Sequence, residues 1–215
     1  MDECIERYKP LMKGRVLDVG GKRVGKRGSF RPPMEAVQSW EYLNIDESTE
    51  PDYCCNAEEI PLPDESIDTV IMTELIEYLP DPKKVLSEIY RVTKDGCHVL
   101  ISVPLLNPIH GDHWADRVRF TPVALREMAQ ESGFQLDTIE AMGSVGAVIY
   151  DVLRVSFGYA DSDGNYTKCN KLLEKSRRFF SWFDKKTSQQ KKYINTGYFM
   201  VMRKSKARIA SGKHG

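Results

Sequence analysis

The sequence lacks the features that define several large classes of protein. Its 215 residues contain no apolar run of about 18 residues, so we expect no membrane-spanning helix. The segment MDECIERYKP carries charges where a secretory signal would have its apolar stretch. The five cysteines are odd in number and lack metal-ligand spacing, which argues against both a disulfide framework and a metal site. These absences predict a soluble, cytoplasmic protein.

The length of the chain also limits its organisation. A chain of 215 residues, 41% of them hydrophobic, can bury one full core but is short for two. We expect one domain over residues 1–204, with a helical insertion at about 143–196. Residues 205–215 have little to bury and are expected to form a basic, disordered tail.

The formal net charge is zero, but the charges are unevenly distributed. From Asn165 onward there are 14 Lys and Arg against 2 Asp and Glu, which leaves 17 against 29 in residues 1–164. A basic end of this kind can face nucleic acid, an anionic membrane or a phosphorylated substrate. Charge alone does not choose among these partners.

Short apolar runs alternate with helical patterns through the first two thirds of the chain. One helix is predicted to start after Asp81 as its cap and to end at Gly96, and another to start after Thr121 and end at Gly133. Two of the runs are β-branched and apolar on both faces, as in a parallel sheet covered by helices. The alternation predicts a doubly wound α/β sheet, whose ligands lie beyond the carboxyl ends of its strands. The predicted strands are residues 15–20, 41–46, 53–57, 67–73, 97–103 and 135–142, with Cys54 and Cys55 in the core.

The alternation breaks after residue 142. Residues 143–196 predict two helices around the polar turn YADSDGNY, and GYFMVMR over 197–203 returns to a strand. The second helix carries Leu172, Leu173, Ser176, Phe179, Phe180 and Phe183 on one face and a row of Lys and Arg on the other. The segment 168–192 therefore suits peripheral contact with an anionic surface. Alternatively, its aromatics cover the sheet or a second copy in a homo-oligomer.

The first predicted strand leads into a loop of glycines and basic residues, GGKRVGKRGSF. The spacing from Gly20 to Lys26 is that of a triphosphate-binding loop, but Arg27 stands where Ser or Thr would hold magnesium. A proline pair soon blocks the helix that should follow, and the glycines do not fit the dinucleotide pattern G-x-G-x-x-G. The carboxylate of Asp18, two residues before Gly20, would repel a pyrophosphate and attract a cation. The loop therefore favours a positively charged ligand.

The motifs that follow this loop occur in an order typical of one family. The chain resembles class I S-adenosylmethionine-dependent methyltransferases of the small single-domain type in VLDVGG, YLNIDES and CNAEEIPLPDESIDTVIMTELIEYLPDPKKVLSEIYRVTKDGCHVLISVP. The resemblance covers roughly residues 10–142. It implies a Rossmann-like, doubly wound, mostly parallel seven-stranded sheet with an antiparallel last strand and a helical insertion before it. It also implies S-adenosyl-L-methionine as the cofactor.

The resemblance assigns roles to individual residues of a cofactor site. Asp18 and Gly20 would lie against the methionine part, with Gly20 allowing close approach of the backbone. Asp46 would accept bonds from both ribose hydroxyls. The loop lacks the second and third glycines of the family, so Lys22 or Arg23 could reach the cofactor carboxylate. The predicted cofactor site is completed by Gly21 in the loop, Asn56 and Ala57 beside the adenine, and Thr73 and Glu74 at the rim near the substrate.

The segment PLLNPIHGDHWADRVRFTPVALREM contains the densest group of acid-base residues. It resembles a subset of these methyltransferases that modify bacterial surface polysaccharides and other glycans, with a His followed by Asp-x-x-Arg-(Phe/Tyr)-Thr. A hydroxyl nucleophile needs its proton removed. The resemblance implies His110 as the general base, with His113 as its competitor, and Arg119 as the group that holds a substrate oxygen or anion. Asp116 completes the predicted catalytic set; alternatively, Asp116 and Arg119 form a local ion pair that shapes the loop.

These observations predict an S-adenosylmethionine-dependent O-methyltransferase that acts on a sugar of a surface glycan or its precursor. Two alternatives stay open. The acceptor could be RNA or another small molecule, although the chain has no recognisable aromatic-basic platform for single strands, which argues against nucleic acid. The altered glycine loop could also belong to a binding module that no longer supports turnover.

Overall fold

The computed structural model describes residues 1–24, 30–109, 115–157 and 168–205. Within these residues, seven strands form one sheet in the order β3-β2-β1-β4-β5-β7-β6. The first five strands are parallel, and β7 is antiparallel to both β5 and β6. This topology confirms the predicted Rossmann-like sheet with its antiparallel last strand. The strands are β1 (Arg15–Val19), β2 (Ser39–Asn44), β3 (Tyr53–Cys54), β4 (Ile67–Thr73), β5 (Thr93–Pro104), β6 (Gln135–Met142) and β7 (Gly197–Arg203).

Helices cover both faces of the sheet. The described helices are α1 (Asp2–Tyr8), α2 (Pro82–Val92), α3 (Pro122–Glu131), α4 (Val145–Ser156), α5 (Lys168–Lys175) and α6 (Arg177–Lys186). Short 3₁₀ turns occur at Lys9–Leu11, Glu47–Thr49, Ile76–Tyr78 and Ser188–Gln190. No helix in the described residues is both long enough and apolar enough to cross a membrane.

Adjacent residues of the central strands face two separate cores. In β1, Leu17 packs into the cluster that includes Val85 and Ile89 of α2. Its neighbour Val16 packs into the cluster that includes Ile5 of α1 and Phe199 of β7. Because side chains of a strand alternate between its two faces, a strand that is apolar at consecutive positions must be covered on both sides. Burial of both faces of the strand is therefore the physical cause of the apolar runs that predicted a parallel sheet.

The predicted helix starts agree with the structure, but one predicted end does not. Asp81 accepts hydrogen bonds from the backbone N–H of Lys83 and Lys84 at the start of α2, and Thr121 likewise caps α3. However, α2 ends at Val92 rather than at Gly96. Thr93 already has an extended backbone and begins β5, and Gly96, with φ +79°, lies where the register of β5 against β4 shifts. Gly96 thus belongs to a β-bulge and not to a helix end.

Two strand predictions also need correction. β2 runs from Ser39 to Asn44, so the run 41–46 is shifted, and Asp46 lies two residues beyond the strand. β3 is a two-residue edge strand that ends at the exposed Cys54, and Cys55, which follows it, is only half-buried against the core. Neither cysteine is therefore fully buried in the core as predicted.

The insertion between β6 and β7 contains three described helices instead of the predicted two. The second predicted helix is interrupted at Ser176, whose Oγ donates to the backbone carbonyl of Leu173 at 2.7 Å. Such side-chain bonds to the preceding turn compete with the helical backbone pattern. The polar turn predicted within this insertion and the predicted disordered tail lie outside the described residues, apart from Ser205.

Candidate cofactor and acceptor site

The carboxyl end of β1 forms a tight turn against β2. Gly20 has φ +79°, a conformation that favours glycine, and its N–H donates to the carbonyl of Leu43 at 2.7 Å. The amide nitrogen of Asn44 donates to the carbonyls of Gly20 and Gly21 at 3.1 and 2.9 Å. Asn44 was not among the predicted site residues, yet it fixes the turn that the resemblance assigned to the cofactor.

The Asp18 carboxylate lies directly under this turn. Its Oδ2 accepts a hydrogen bond of 3.2 Å from the indole N–H of Trp40. A Cβ added to Gly21 would lie 2.3 Å from the Asp18 Cγ, which is far inside van der Waals contact. Glycine at position 21 is therefore required by the close approach of a carboxylate to the backbone. No local pattern indicated that Trp40 would orient Asp18, since the two residues are 22 positions apart.

Asp46 stands at the tip of the neighbouring strand in an exposed position. Its Oδ1 accepts from both the N–H and the Oγ of Ser48, at 3.0 and 2.6 Å, so it caps a 3₁₀ turn. These hydrogen bonds, with a smaller contribution from the charge of Lys22, lower the pKa of Asp46. The carboxylate is thus ionised at neutral pH. Within the described part of the chain both bonds go to Oδ1, which leaves Oδ2 available to another donor.

Arg23, predicted as one of two possible partners of the cofactor carboxylate, contacts other residues in the structure. Its guanidinium contacts the Asp52 carboxylate at 2.5 Å and the backbone carbonyl of Glu50 at 3.1 Å, and it lies over the Tyr42 ring. These contacts hold the loop after β1 against the segment that connects β2 and β3. Lys22 is the residue of the pair that lies near Asp46.

Asn56 and Ala57 follow β3 in a short turn. The Asn56 Oδ1 accepts from the N–H of Glu58 at 3.0 Å, while Ala57 is 5% exposed and belongs to the main core. The Asn56 side chain therefore stabilises the turn through its oxygen. Its amide nitrogen keeps the donor capacity that an adenine ring could use.

The carboxyl end of β4 carries a strained acidic residue. Glu74 follows Thr73 with φ +49°, which is unfavourable for a residue other than glycine. Its N–H donates to the carbonyl of Ser102 at 3.0 Å, and its Oε1 accepts from the Ser102 hydroxyl at 2.7 Å. Ser102 of β5 thus fixes the direction of Glu74 at the rim between the two strands.

A second acid, Glu77, is completely buried next to this rim. Burial raises the pKa of Glu77 to about 8, and the nearby charges of Glu74 and Asp116 act in the same direction. Tyr78 beside it has its pKa raised to about 12, mainly by burial and then by Glu77. Glu77 was not predicted as a site residue. It lies in the motif TELIEYLP quoted above, but its burial depends on the distant loop that carries Asp116.

That loop is the segment predicted to carry the catalysis. Arg119 makes two hydrogen bonds with Asp116, one of them at 2.7 Å from Nη2 to Oδ2. The N–H of Arg117 donates to the carbonyl of Glu77 at 3.0 Å, which holds the loop against the segment after β4. Asp116 and Arg119 therefore form the local ion pair that was predicted as the alternative to a catalytic role. The pair lies beside Glu77. His110 and His113 lie outside the described residues.

The described residues bring the predicted cofactor set together at one edge of the sheet. A Cβ on Gly20 would lie 2.9 Å from the side chain of Leu75, so the β1 turn touches the segment that carries Glu74. A groove of about 410 Å³ is lined by Leu79, Arg117 and Phe120 together with residues of α2 and α3. No group of three or more possible metal ligands occurs among the described residues.

Comparisons with known proteins agree with this geometry. Residues 35–101 match the family described as a methyltransferase domain. A protein of Mycolicibacterium smegmatis named probable S-adenosylmethionine-dependent methyltransferase is 31% identical over 108 residues, or 45% of this chain. The matched part spans only 40% of the length of that relative.

Solved structures share the fold over nearly the whole chain. An S-adenosylmethionine-dependent methyltransferase from Mesorhizobium loti superposes with a TM-score of 0.57, at 11% identity, over 94% of this chain and 96% of that one. A SAM-dependent methyltransferase from Archaeoglobus fulgidus gives a TM-score of 0.56, at 18% identity, over 94% and 91%. The chain therefore has the class I S-adenosylmethionine-dependent methyltransferase fold. Together with the family match and the relative, this fold supports S-adenosylmethionine as the cofactor.

The residues at the sheet edge fit this cofactor. The side chains of Leu75 and Asp18 pack against the backbone of the β1 turn at Gly20 and Gly21, which brings the Asp18 carboxylate to the sheet edge. Asp46 offers an ionised carboxylate one strand away, which suits a diol or a positive charge. Asp18 lies under the turn and Asp46 at its side, so a cation bound between them would be favoured electrostatically.

Proposed function

We propose that this chain is a methyltransferase that moves a methyl group from S-adenosylmethionine to a hydroxyl of a sugar, in a surface glycan or its precursor. The observation that supports the proposal is that the candidate cofactor site and the candidate acceptor site lie next to each other at one edge of the sheet. The glycine turn and Asp46 suit the cofactor, and the cluster of Glu74, Glu77 and the Asp116–Arg119 pair lies next to them.

The cluster has the chemistry to orient an acceptor rich in hydroxyl groups. Arg119 is half-buried, with its fork fixed by Asp116, so it presents donors at a defined position. Glu77, with a pKa of about 8, is protonated at neutral pH and does not add a full negative charge beside Asp116. Carboxyl groups and a guanidinium are ordinary partners of sugar hydroxyls.

The proposal assigns proton removal to the histidines of the same loop. Among the described acids near the rim, Glu77 is protonated, Asp116 is paired with Arg119, and Glu74 accepts from Ser102. None of these three is therefore poised as a base at neutral pH. Methyl transfer is an in-line displacement, so the protein must mainly align the hydroxyl, exclude water and accept its proton. We assign that proton to His110, with His113 as the second candidate.

Calorimetry tests the proposed cofactor site, and activity measurements test the proposed catalytic base. Asp46→Ala should abolish binding of S-adenosylmethionine, whereas Glu47→Ala, a change of the adjacent exposed acid, should leave it intact. His110→Ala should bind the cofactor normally but give no methylated product with a panel of sugars, sugar nucleotides and oligosaccharides analysed by mass spectrometry. If His113→Ala and not His110→Ala removes turnover, the two histidines exchange roles.

Other outcomes would select another function. Methylated RNA in the absence of any methylated sugar would identify an RNA methyltransferase. Tight cofactor binding without product from any acceptor would identify a binding module. Normal cofactor binding by Asp46→Ala would contradict the proposed cofactor site.

A further inference from the structure

Helix α6 is held rigidly against α4 by its acidic residue. The Asp184 Oδ1 accepts from the N–H of Ser144 at 2.7 Å and from the N–H of Ala147 at 2.9 Å. A Cβ on Gly146 would lie 2.6 Å from the backbone nitrogen of Asp184, so the two helices are in direct backbone contact. The orientation of α6 is therefore fixed, and its opposite side faces away from α4.

Both acids of this region hydrogen-bond to α4. Only two acidic residues occur from residue 165 to the end of the chain, Glu174 and Asp184. Glu174 accepts from the Tyr150 hydroxyl of α4 at 2.7 Å, and Asp184 caps the same helix. Glu174 remains exposed on α5, whereas Asp184 is half-buried, so the charges on the side of α6 that faces away from α4 are basic.

Aromatic rings occupy the same outer side. Phe179 and Trp182 are 56% and 54% exposed, with ring centroids 5.9 Å apart. Helical spacing places them with three basic residues within about a third of the helix circumference. We call this set the α6 face; it consists of Arg178, Phe179, Trp182, Lys185 and Lys186, all of them exposed.

We propose that the α6 face binds the surface of a membrane that contains anionic lipids. Exposed aromatics beside Lys and Arg on a fixed helix match the composition of interfacial helices, whose rings enter the headgroup region while the basic groups contact anionic headgroups. Asp184, the one acid of α6, is bound to the start of α4, so α6 itself presents no acidic charge that would oppose this contact. This inference does not depend on the proposed reaction.

The arrangement of the rings favours a lipid surface over a nucleic acid. Phe183 lies parallel to Phe179 at 6.2 Å, and Phe180 meets Phe179 edge-on at 5.5 Å. The rings thus form one continuous apolar cluster. Single-stranded nucleic acid is bound instead by separate rings whose faces are open to stack with successive bases.

Vesicle flotation of the full-length chain tests the proposal. The protein should float with vesicles of phosphatidylcholine and 30% phosphatidylglycerol, and not with phosphatidylcholine alone. Phe179→Ala/Trp182→Ala and Arg178→Glu/Lys186→Glu should each weaken binding at least about tenfold. Lys13→Glu/Arg126→Glu, which changes the same number of exposed charges outside α6, should bind like the parent chain. Binding of cofactor by each variant shows that it is folded.

Fluorescence gives a second readout. Trp182 emission should shift to shorter wavelength on addition of the anionic vesicles, and Trp182→Phe should bind but lose that shift. Equal binding to neutral and anionic vesicles, or unchanged binding by both α6 variants, would overturn the proposal. So would a defined RNA or DNA oligonucleotide that binds through the α6 face and displaces the vesicles.

Discussion

The Asp116 carboxylate, whose side chain is 0% exposed, receives two hydrogen bonds from the guanidinium of Arg119. Planar, two-point pairing of this kind fixes both side chains. Because the Arg117 N–H also bonds to the carbonyl of Glu77, the pair is held next to the buried acid that follows β4. The predicted acceptor loop thus has a defined position relative to the cofactor turn.

Arg119→Lys should impair the reaction without affecting the cofactor. A lysine keeps the charge but cannot pair with Asp116 at two points. We expect the acceptor KM to rise about tenfold or more, with unchanged affinity for S-adenosylmethionine, measured by steady-state kinetics and calorimetry. Arg126→Lys, an exposed change on α3, is the matched control. Equal acceptor kinetics for the two variants would remove Arg119 from the acceptor site.

Glu77 should make stability depend on pH. Its pKa rises from 4.5 to about 8 in the folded protein. Between these values the unfolded chain releases the proton while the folded protein retains it, so rising pH favours unfolding. Glu77→Gln removes this dependence.

The Glu77→Gln variant should therefore gain stability relative to the parent chain between pH 5 and pH 8.5, by roughly 1 to 4 kcal/mol in urea unfolding. Glu59→Gln, the same chemical change at an exposed position, should follow the parent chain at both pH values. A constant difference between Glu77→Gln and the parent across this range would show that Glu77 is ionised in the folded protein.

Gly20→Ala and Gly96→Ala form a matched pair, since both glycines have φ +79°. Each alanine should cost about 1 to 2 kcal/mol from the left-handed backbone alone. At Gly96 nothing lies within 4 Å of an added Cβ, whereas at Gly20 the Cβ meets Leu75 at 2.9 Å beside the cofactor turn. Only Gly20→Ala should weaken S-adenosylmethionine binding, by about tenfold or more in calorimetry. Equal affinity in both variants would place the cofactor elsewhere.

Asp184→Ala should loosen the insertion and leave the cofactor site unchanged. The variant loses the hydrogen bonds from Ser144 and Ala147 at the start of α4, which should cost about 1 to 3 kcal/mol. Hydrogen exchange of the first turn of α4 should accelerate, while cofactor affinity stays the same. Ser181→Ala, on the exposed surface of α6, provides the control. Unchanged exchange in Asp184→Ala would show that the cap does not hold α4.

Much of the cofactor edge was predictable because its signals are local. Asp81 and Thr121 cap helices through atoms two or three residues away, and β4 appears in the sequence as a continuous apolar run. The glycine turn was predictable for the same reason. The helix end at Val92 was not, because the extended backbone of Thr93 is stabilised by pairing with β4 and not by nearby residues.

The acceptor side was less predictable. Asp116 and Arg119 were chosen from their spacing, which also allowed their local ion pair, but the burial of Glu77 depends on contact between segments about 40 residues apart. The hydrogen bond from Trp40 to Asp18 likewise joins residues that are distant in the sequence. Side-chain environment of this kind is set by packing between elements, which a single sequence does not display.

The sequence by itself determined the alternation of strands and helices, the glycine turn and the acids at the strand tips, because each follows from neighbouring residues and from apolar periodicity. Only the tertiary structure decided that Glu77 is a protonated acid and that Arg23 pairs with Asp52. It likewise decided that Asp184 bonds to α4, which leaves a basic face on α6. These properties arise from desolvation and from contacts between distant segments, which exist only once the chain has folded.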